Sequence, residues 1–203
     1  MRILCVETDP RAADLAADQL RAAGHEVASC RTAPGSPAFP CAGLTRRGAC
    51  PVEDARGVDV VLDVRRRPMP RPTPDEAGVT CALRRGVPLV VAGNVGLNPF
   101  EPWTTAVSPG ASNVVAACQD AYDRALAALA GMVTATVAEV LAEHGHADAG
   151  VRAEARRVGR ELAVVVHRGD AAGDLDGVLA VRAHRALRDA GVTAPSISIS
   201  CTA

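Results

Sequence analysis

Short, continuously apolar runs recur along the first half of the chain and alternate with stretches that form helices or loops. The runs cover residues 2–6, 25–29, 58–64 and 87–92, with a weaker one at 104–107. Strands that are buried on both faces have unbroken apolar sequences, and parallel strands need crossover connections between them. The pattern therefore predicts an α/β domain over residues 1–110, with helices on both faces of a parallel sheet and a ligand edge at the strand carboxyl ends.

The pattern changes after Pro109-Gly110. An Ala-rich helix is expected over residues 112–143, either continuous or in two pieces joined near Gly131. Two alternating segments then predict a hairpin, and a helix and a final strand with period-two alternation follow. These elements are expected at 151–157, 160–168, 174–190 and 195–201. The order α-β-β-α-β predicts a small α+β unit over residues 111–203.

Composition excludes several classes of function. The net charge of -1 over 203 residues argues against a nucleic-acid partner, and every one of the 22 basic residues is arginine. A Schiff-base or Walker lysine is therefore absent. The first residues predict a strand and not a signal peptide, and no apolar run was expected to span a membrane. We expect a cytoplasmic protein, whose thiols are kept reduced.

A Pro/Gly-rich loop over residues 30–57 stands where a parallel-sheet protein usually has a helix. It carries Cys30, Cys41 and Cys50, with Cys81 further along the chain and His25 just before it. Thiolates and imidazole are ligands for zinc, and thiolates also hold iron–sulfur clusters. The alternative is that these cysteines are small buried side chains that pin the loop. The loop thus predicts either a zinc or iron–sulfur site or a structural role.

The first hundred residues resemble the receiver domain of two-component response regulators. The segments that carry the resemblance are Arg2–Pro10 (RILCVETDP), 25–28 (HEVA), 58–63 (VDVVLD) and 86–92 (GVPLVVA). The resemblance implies a flavodoxin-like sheet, with Asp63 as phospho-acceptor and Asp9 as a magnesium ligand. Thr8 and Gly93 replace an acidic and a hydroxyl residue of that family, and its lysine is absent. The chain is therefore predicted to be a degenerate receiver.

Several arginines follow the third predicted strand. Arg65, Arg66 and Arg67 could grip an anionic ligand together with Asn94, or they could form a solvated loop edge. We expect a non-catalytic signalling or regulatory protein that forms a homodimer through the long helix. Two alternatives stay open. One is an enzyme that binds a small anionic or nucleotide-like ligand at the sheet edge, and the other is a thiol redox or metal sensor.

Overall fold

The computed structural model describes residues 1–33, 36–46, 49–110, 113–159, 161–169, 173–192 and 194–202. It divides into two compact units, Met1–Asp123 and Arg124–Ala203. The division falls inside the long helix, whereas the sequence pattern placed it at residue 110. Each unit has a hydrophobic core of its own.

The first unit is built on a parallel sheet. Within the described residues its five strands are β1 (Arg2–Glu7), β2 (Glu26–Ala28), β3 (Val60–Arg65), β4 (Leu89–Gly93) and β5 (Thr104–Ser108). They pair in the order β2-β1-β3-β4-β5, and every neighbouring pair is parallel. This order is that of flavodoxin-like folds, so the predicted fold class is confirmed.

Helices cover both faces of this sheet. They are α1 (Asp14–Ala22), α2 (Ala42–Thr45), α3 (Ala77–Leu83) and the first turns of α4 (Val114–Glu143). One face packs against α1 and the start of α4. The other face packs against α3 and the cysteine loop. The short helix α2 lies inside the segment 30–57, which was predicted to be loop throughout.

Helix α4 runs without interruption through Gly131. Of the described residues, α4 forms one helix that is long and apolar enough, by length and composition alone, to cross a membrane. This corrects the expectation that no run has such a length. A packed helix meets the same criterion, and Val133, Val137 and Leu141 of α4 are buried in the second core. The criterion therefore assigns no location to the chain.

The second unit places a small mixed sheet against helices. Its strands are β6 (Arg152–Val158), β7 (Glu161–His167) and β8 (Ser196–Thr202), and helix α5 (Asp176–Asp189) precedes β8. Strand β7 is central, antiparallel to β6 and parallel to β8. Alternate residues of β7, namely Leu162, Val164 and Val166, are buried, as period-two patterning requires.

Candidate functional site

Asp63 and Arg65 of β3 point into the protein and not toward its open edge. Residues two apart in a strand share a face, so both side chains lie on the α3 side of the sheet. Both are buried, and so is Glu76, which precedes α3. The Arg65 guanidinium donates from Nη1 to Asp63 Oδ2 at 3.0 Å and also to a Glu76 carboxylate oxygen. We call Asp63, Arg65 and Glu76 the ionic cluster.

The turn that precedes α3 holds Glu76 in the ionic cluster. Glu76 accepts a hydrogen bond from the backbone N–H of Thr73 at 2.6 Å, which is the Glu76 half of a capping box, while Thr73 Oγ1 has no hydrogen-bond partner among the described atoms. Pro74 stands at the first position of that helical turn, where its missing N–H costs nothing. Glu76 was not among the predicted site residues. The spacing of Thr73 and Glu76 was the signal that could have indicated it.

The charges of the ionic cluster do not balance when both carboxylates are ionised. Burial raises the pKa of Asp63 to about 7, and the Glu76 charge adds to this effect while Arg65 opposes it. Among the described atoms, Asp63 Oδ1 and Arg65 Nε have no hydrogen-bond partner. Asp63 is therefore an internal carboxyl group that solvent does not reach, and its surroundings favour its protonated form.

The remaining predicted edge residues lie apart from the ionic cluster. Arg67 pairs with Asp9 at 2.6 Å, with the Arg67 side chain exposed. Arg66 donates to the backbone carbonyl of Arg11 at 3.3 Å. Asn94 is exposed, and its Oδ1 accepts from the N–H of Gly96 at 3.3 Å. Each of these side chains thus makes a contact within the protein, and the prediction that they bind an anionic ligand stays a prediction.

Gly93 is required by the backbone of this edge. It has a φ of 84°, and a Cβ placed on it would lie 2.4 Å from the carbonyl oxygen of Arg65. That carbonyl accepts the N–H of Asn94 at 2.8 Å. A hydroxyl residue, which the receiver resemblance implies at this position, has no room here.

The four cysteines predicted as a site are brought to one face of the sheet. Cys30 follows β2, and its carbonyl accepts the N–H of Ala42 at 2.7 Å, which joins it to the residue after Cys41. Cys41 and Cys50 flank α2 and pack partly buried against the same core as Cys30. Cys81 lies on α3, the helix over this face. We call Cys30, Cys41, Cys50 and Cys81 the thiol cluster.

Electrostatics within the thiol cluster agrees with this placement. The pKa of Cys30 is raised to about 12, mainly by burial and further by the other three thiols. The pKa of Cys81 is raised by burial first and then by Cys50 and Cys41. The thiols thus disfavour one another's charged form, and all four cysteines are free.

His25 does not join the thiol cluster. It precedes β2, and its pKa is lowered first by partial burial and then by the charge of the chain's amino terminus. Cys30 lies beyond the other end of the same strand. His25 and Cys30 are close in sequence, but they lie at opposite ends of β2 and are therefore separated by its length.

The thiol cluster is not preassembled around a single ion. No group of three His, Cys, Asp or Glu side chains among the residues that the structure describes stands at distances that would hold one metal ion. Sulfur donors would suit a thiophilic metal only if the side chains stood within reach of one ion.

Two clefts open beside β2, and arginine lines both. One of about 370 Å³ contains Glu7 and Arg31, whose buried side chains form an ion pair. The other, of about 540 Å³, is lined by Arg2, Arg46 and Arg56 among other residues. Arg2 and Arg56 are neutralised by Glu26 and Asp54, so the arginines do not sum to a strongly cationic site.

The function of this chain is inferred from its own geometry. No family model matches the chain, and no curated protein matches its sequence. The parallel strand order establishes the flavodoxin-like fold, while the resemblance to receivers stays a prediction. The α3 face of the sheet carries two groups of polar or ionisable side chains, the ionic cluster and the thiol cluster.

Proposed function

We propose that this chain is a non-catalytic regulatory protein whose first unit is a receiver-like domain that phosphorylation does not switch. The observation that carries the proposal is the position of the Arg65 guanidinium. It lies inside the protein between the carboxylates of Asp63 and Glu76, with Asp63 Oδ2 at 3.0 Å. An internal cation supplies there the charge neutralisation that a bound metal ion would otherwise provide.

Phosphoryl transfer to Asp63 would need a carboxylate that a donor and a cation can both reach. Asp63 is fully buried, and breaking its pair with Arg65 would leave buried charges without partners. The absence of lysine removes a further group that would neutralise phosphoryl oxygens. We infer that the domain is held in one state and that its output depends on what it binds.

The alternative of an enzyme with an anionic substrate at the sheet edge has less support. Arg65 is used inside the protein, Arg67 is paired with Asp9, and Asn94 closes its own turn. The proposed regulatory role fits a cytoplasmic protein. Self-association through α4, expected from its Ala-rich sequence, stays a prediction.

Chemical phosphorylation tests the proposal. The full chain is incubated with acetyl phosphate and Mg²⁺, and separately with beryllofluoride and Mg²⁺, and then followed by intact mass and by amide hydrogen exchange. We expect no adduct and unchanged exchange over β3 and α3. Asp63→Asn is the matched control. An adduct of one phosphoryl group that is present in the native chain and lost in Asp63→Asn would overturn the proposal.

A further inference from the structure

The sheet of the second unit has two edges of different character. Its strand order is β6-β7-β8, so within the described residues β6 and β8 each pair on one side. An edge strand presents unpaired N–H and C=O groups, and proteins protect such edges with charges, proline, bulges or short strands. Four of the seven residues of β6 (RAEARRV) are charged. Strand β8 (SISISCT) has no charge and no proline over its seven residues, and its register with β7 has no shift.

The edges of the sheet in the first unit are protected in other ways. Strand β2 is only three residues long. Strand β5 pairs with β4 through a register shift between Leu89 and Val90, which breaks the regularity of that edge. Of the four sheet edges in the part of the chain that the structure describes, β8 is therefore the one that is long, regular and uncharged.

The backbone of β8 has hydrogen-bonding groups directed to its free edge. The carbonyl of Thr202 accepts the N–H of Arg168 at 3.0 Å, so the backbone of Thr202 faces β7. In a parallel ladder, alternate residues of a strand direct their N–H and C=O groups to opposite sides. Ser198 and Ser200 therefore face β7 as Thr202 does. Ile197, Ile199 and Cys201 direct their N–H and C=O groups away from β7, to the free edge.

An apolar groove lies beside this edge. It has a volume of about 250 Å³ and lies between α5 and β8, lined by Ala180, Val181, His184, Ile197 and Ile199. Val181 is 68 % exposed, and Val178 of the same helix is 41 % exposed. A free strand edge beside an apolar groove offers main-chain pairing and side-chain burial together, which is the combination used in strand addition.

The sequence of β8 is complementary to itself. Polar and apolar residues alternate from Ser196 to Thr202, and the pattern is the same in both directions about Ile199. A two-fold axis at Ile199 would pair two copies of β8 antiparallel, with Ile197 opposite the second copy's Cys201. These residues have edge-facing backbone groups, so the pairing forms up to about six hydrogen bonds and leaves apolar side chains on the groove side. Such an interface closes after two copies.

The charge of α5 favours an antiparallel neighbour of the same kind. The turn before α5 and its first residue carry Asp174 and Asp176. The second half of α5 carries three arginines and one aspartate, namely Arg182, Arg185, Arg188 and Asp189. Because α5 borders the groove beside β8, the two-fold axis sets the two α5 helices side by side and antiparallel. The acidic start of each helix then faces the basic end of the other.

We propose that two copies of this chain associate through the free edges of β8, antiparallel about Ile199, and cover Val181 of both α5 helices. The two three-stranded sheets then form one continuous sheet whose outer edges are the charged β6 strands. This surface belongs to the second unit and differs from α4, the helix from which self-association was expected. It adds to the proposed function a partner, which is a second copy of the chain.

A pair of charge variants tests the register. Ser198 and Ser200 are exposed, and the proposed axis sets Ser198 opposite the second copy's Ser200. Changing both to lysine places like charges opposite one another, which destabilises a strand pair, whereas Ser198→Lys with Ser200→Glu places opposite charges there. Sedimentation equilibrium of the full chain over a dilution series measures the dimer dissociation constant. We expect a native dimer, at least about tenfold weaker association in the first variant, and no such weakening in the second.

Two further variants assign the surface, with circular dichroism as the check on folding. Val181→Asp changes an exposed side chain beside the axis and should also weaken the dimer at least about tenfold. Ala128→Glu changes an exposed position of α4 and should associate as the native chain does. In the native chain, amide exchange at Ile197, Ile199 and Cys201 should slow as concentration rises, whereas exchange along β6 should not change.

Four results would overturn the inference. They are a monomer at every concentration, equal association of the two charge variants, dissociation by Ala128→Glu without dissociation by Val181→Asp, or amide exchange in β8 that does not depend on concentration. The last measurement needs no variant, so misfolding of a variant does not protect the inference. None of these results bears on phosphorylation of Asp63, so this inference and the proposed function fail independently.

Discussion

The ionic cluster and the thiol cluster lie on the same face of the sheet but differ in how their charge is balanced. The turn at Pro74–Glu76 holds Glu76, which is paired internally with Arg65. Helix α3 follows and carries Gly78, which borders the thiol cluster, and Cys81, which belongs to it. The ionic cluster sets a cation of the chain itself, Arg65, between its two carboxyl groups, and its surroundings favour a proton on Asp63. The thiol cluster has four ionisable groups and only a weak effect from Arg84. The first has a strong counter-charge within the chain, whereas the second has none.

The two clusters also differ in what it costs to replace one of their residues. Buried ion pairs cost several kcal/mol to break by removing one partner, so the ionic cluster fixes β3 and the 73–76 turn together. Neutral thiols have no such penalty, because replacing one of them leaves no buried charge behind. The face of the sheet that packs against α3 therefore combines a half fixed by buried ion pairs and a half held by packing alone.

Removing the Arg65 cation should give the largest effect. Arg65→Met leaves Asp63 and Glu76 buried without a counter-charge, and we expect the free energy of unfolding to fall by about 3–5 kcal/mol. Urea unfolding followed by circular dichroism measures it. Arg67→Met, which breaks only the exposed pair with Asp9, should cost less than about 1 kcal/mol.

A rescue variant separates charge from packing at Arg65. Changing Asp63 and Glu76 to Asn and Gln in the Arg65→Met background removes the unpaired charges, and it should recover part of the lost stability. Similar small losses for Arg65→Met and Arg67→Met would contradict the view that the ionic cluster is the fixed half of this face.

The pH dependence of stability should report the proton held at Asp63. Its folded pKa is raised above the unfolded value, so its contribution is fully present below the unfolded pKa and is lost as pH rises toward 7. Between pH 5 and 8 the native chain should lose about 2–3 kcal/mol relative to Asp63→Asn, which does not titrate. Urea unfolding across that range measures the difference.

Asp54 provides a comparison of opposite sign at pH values below this range. Hydrogen bonds from Arg56 lower its pKa, so its contribution is present above the unfolded pKa and is lost as pH falls. Asp54→Asn should therefore approach the native chain in stability at low pH and not at high pH. A native chain that gains stability over Asp63→Asn between pH 5 and 8 would rule out an internal protonated Asp63.

Sequence patterns predicted the elements better than they predicted side-chain direction. Apolar runs gave β1, β3 and β4 because a buried parallel strand must be apolar on both faces. The grouping of the cysteines followed from their place between β2 and α3. Whether Asp63 and Arg65 face the sheet edge or the interior depends on which side of β3 their positions occupy. It also depends on Glu76, a partner that follows a proline-rich loop. Local propensity predicts neither the side of the strand nor the partner.

The smallest effect expected is at the border of the thiol cluster. A Cβ in Gly78→Ala meets Cys30 Sγ at 2.9 Å and Val6 Cγ2 at 3.1 Å. Overpacking costs about 1–3 kcal/mol, and the better helix propensity of Ala returns about 1 kcal/mol, so a net loss of roughly 1 kcal/mol is expected. Urea unfolding measures it. Gly131→Ala in α4 has open space and should instead stabilise the chain.

A double-mutant cycle makes the Gly78 result specific to the thiol cluster. Cys30→Ala removes the sulfur that the new Cβ would meet, so Gly78→Ala should cost less in that background than in the native chain. Additive losses would show that Val6 alone resists the methyl group and that Cys30 Sγ has room to move. In that case the thiol would not be fixed against α3 by close packing.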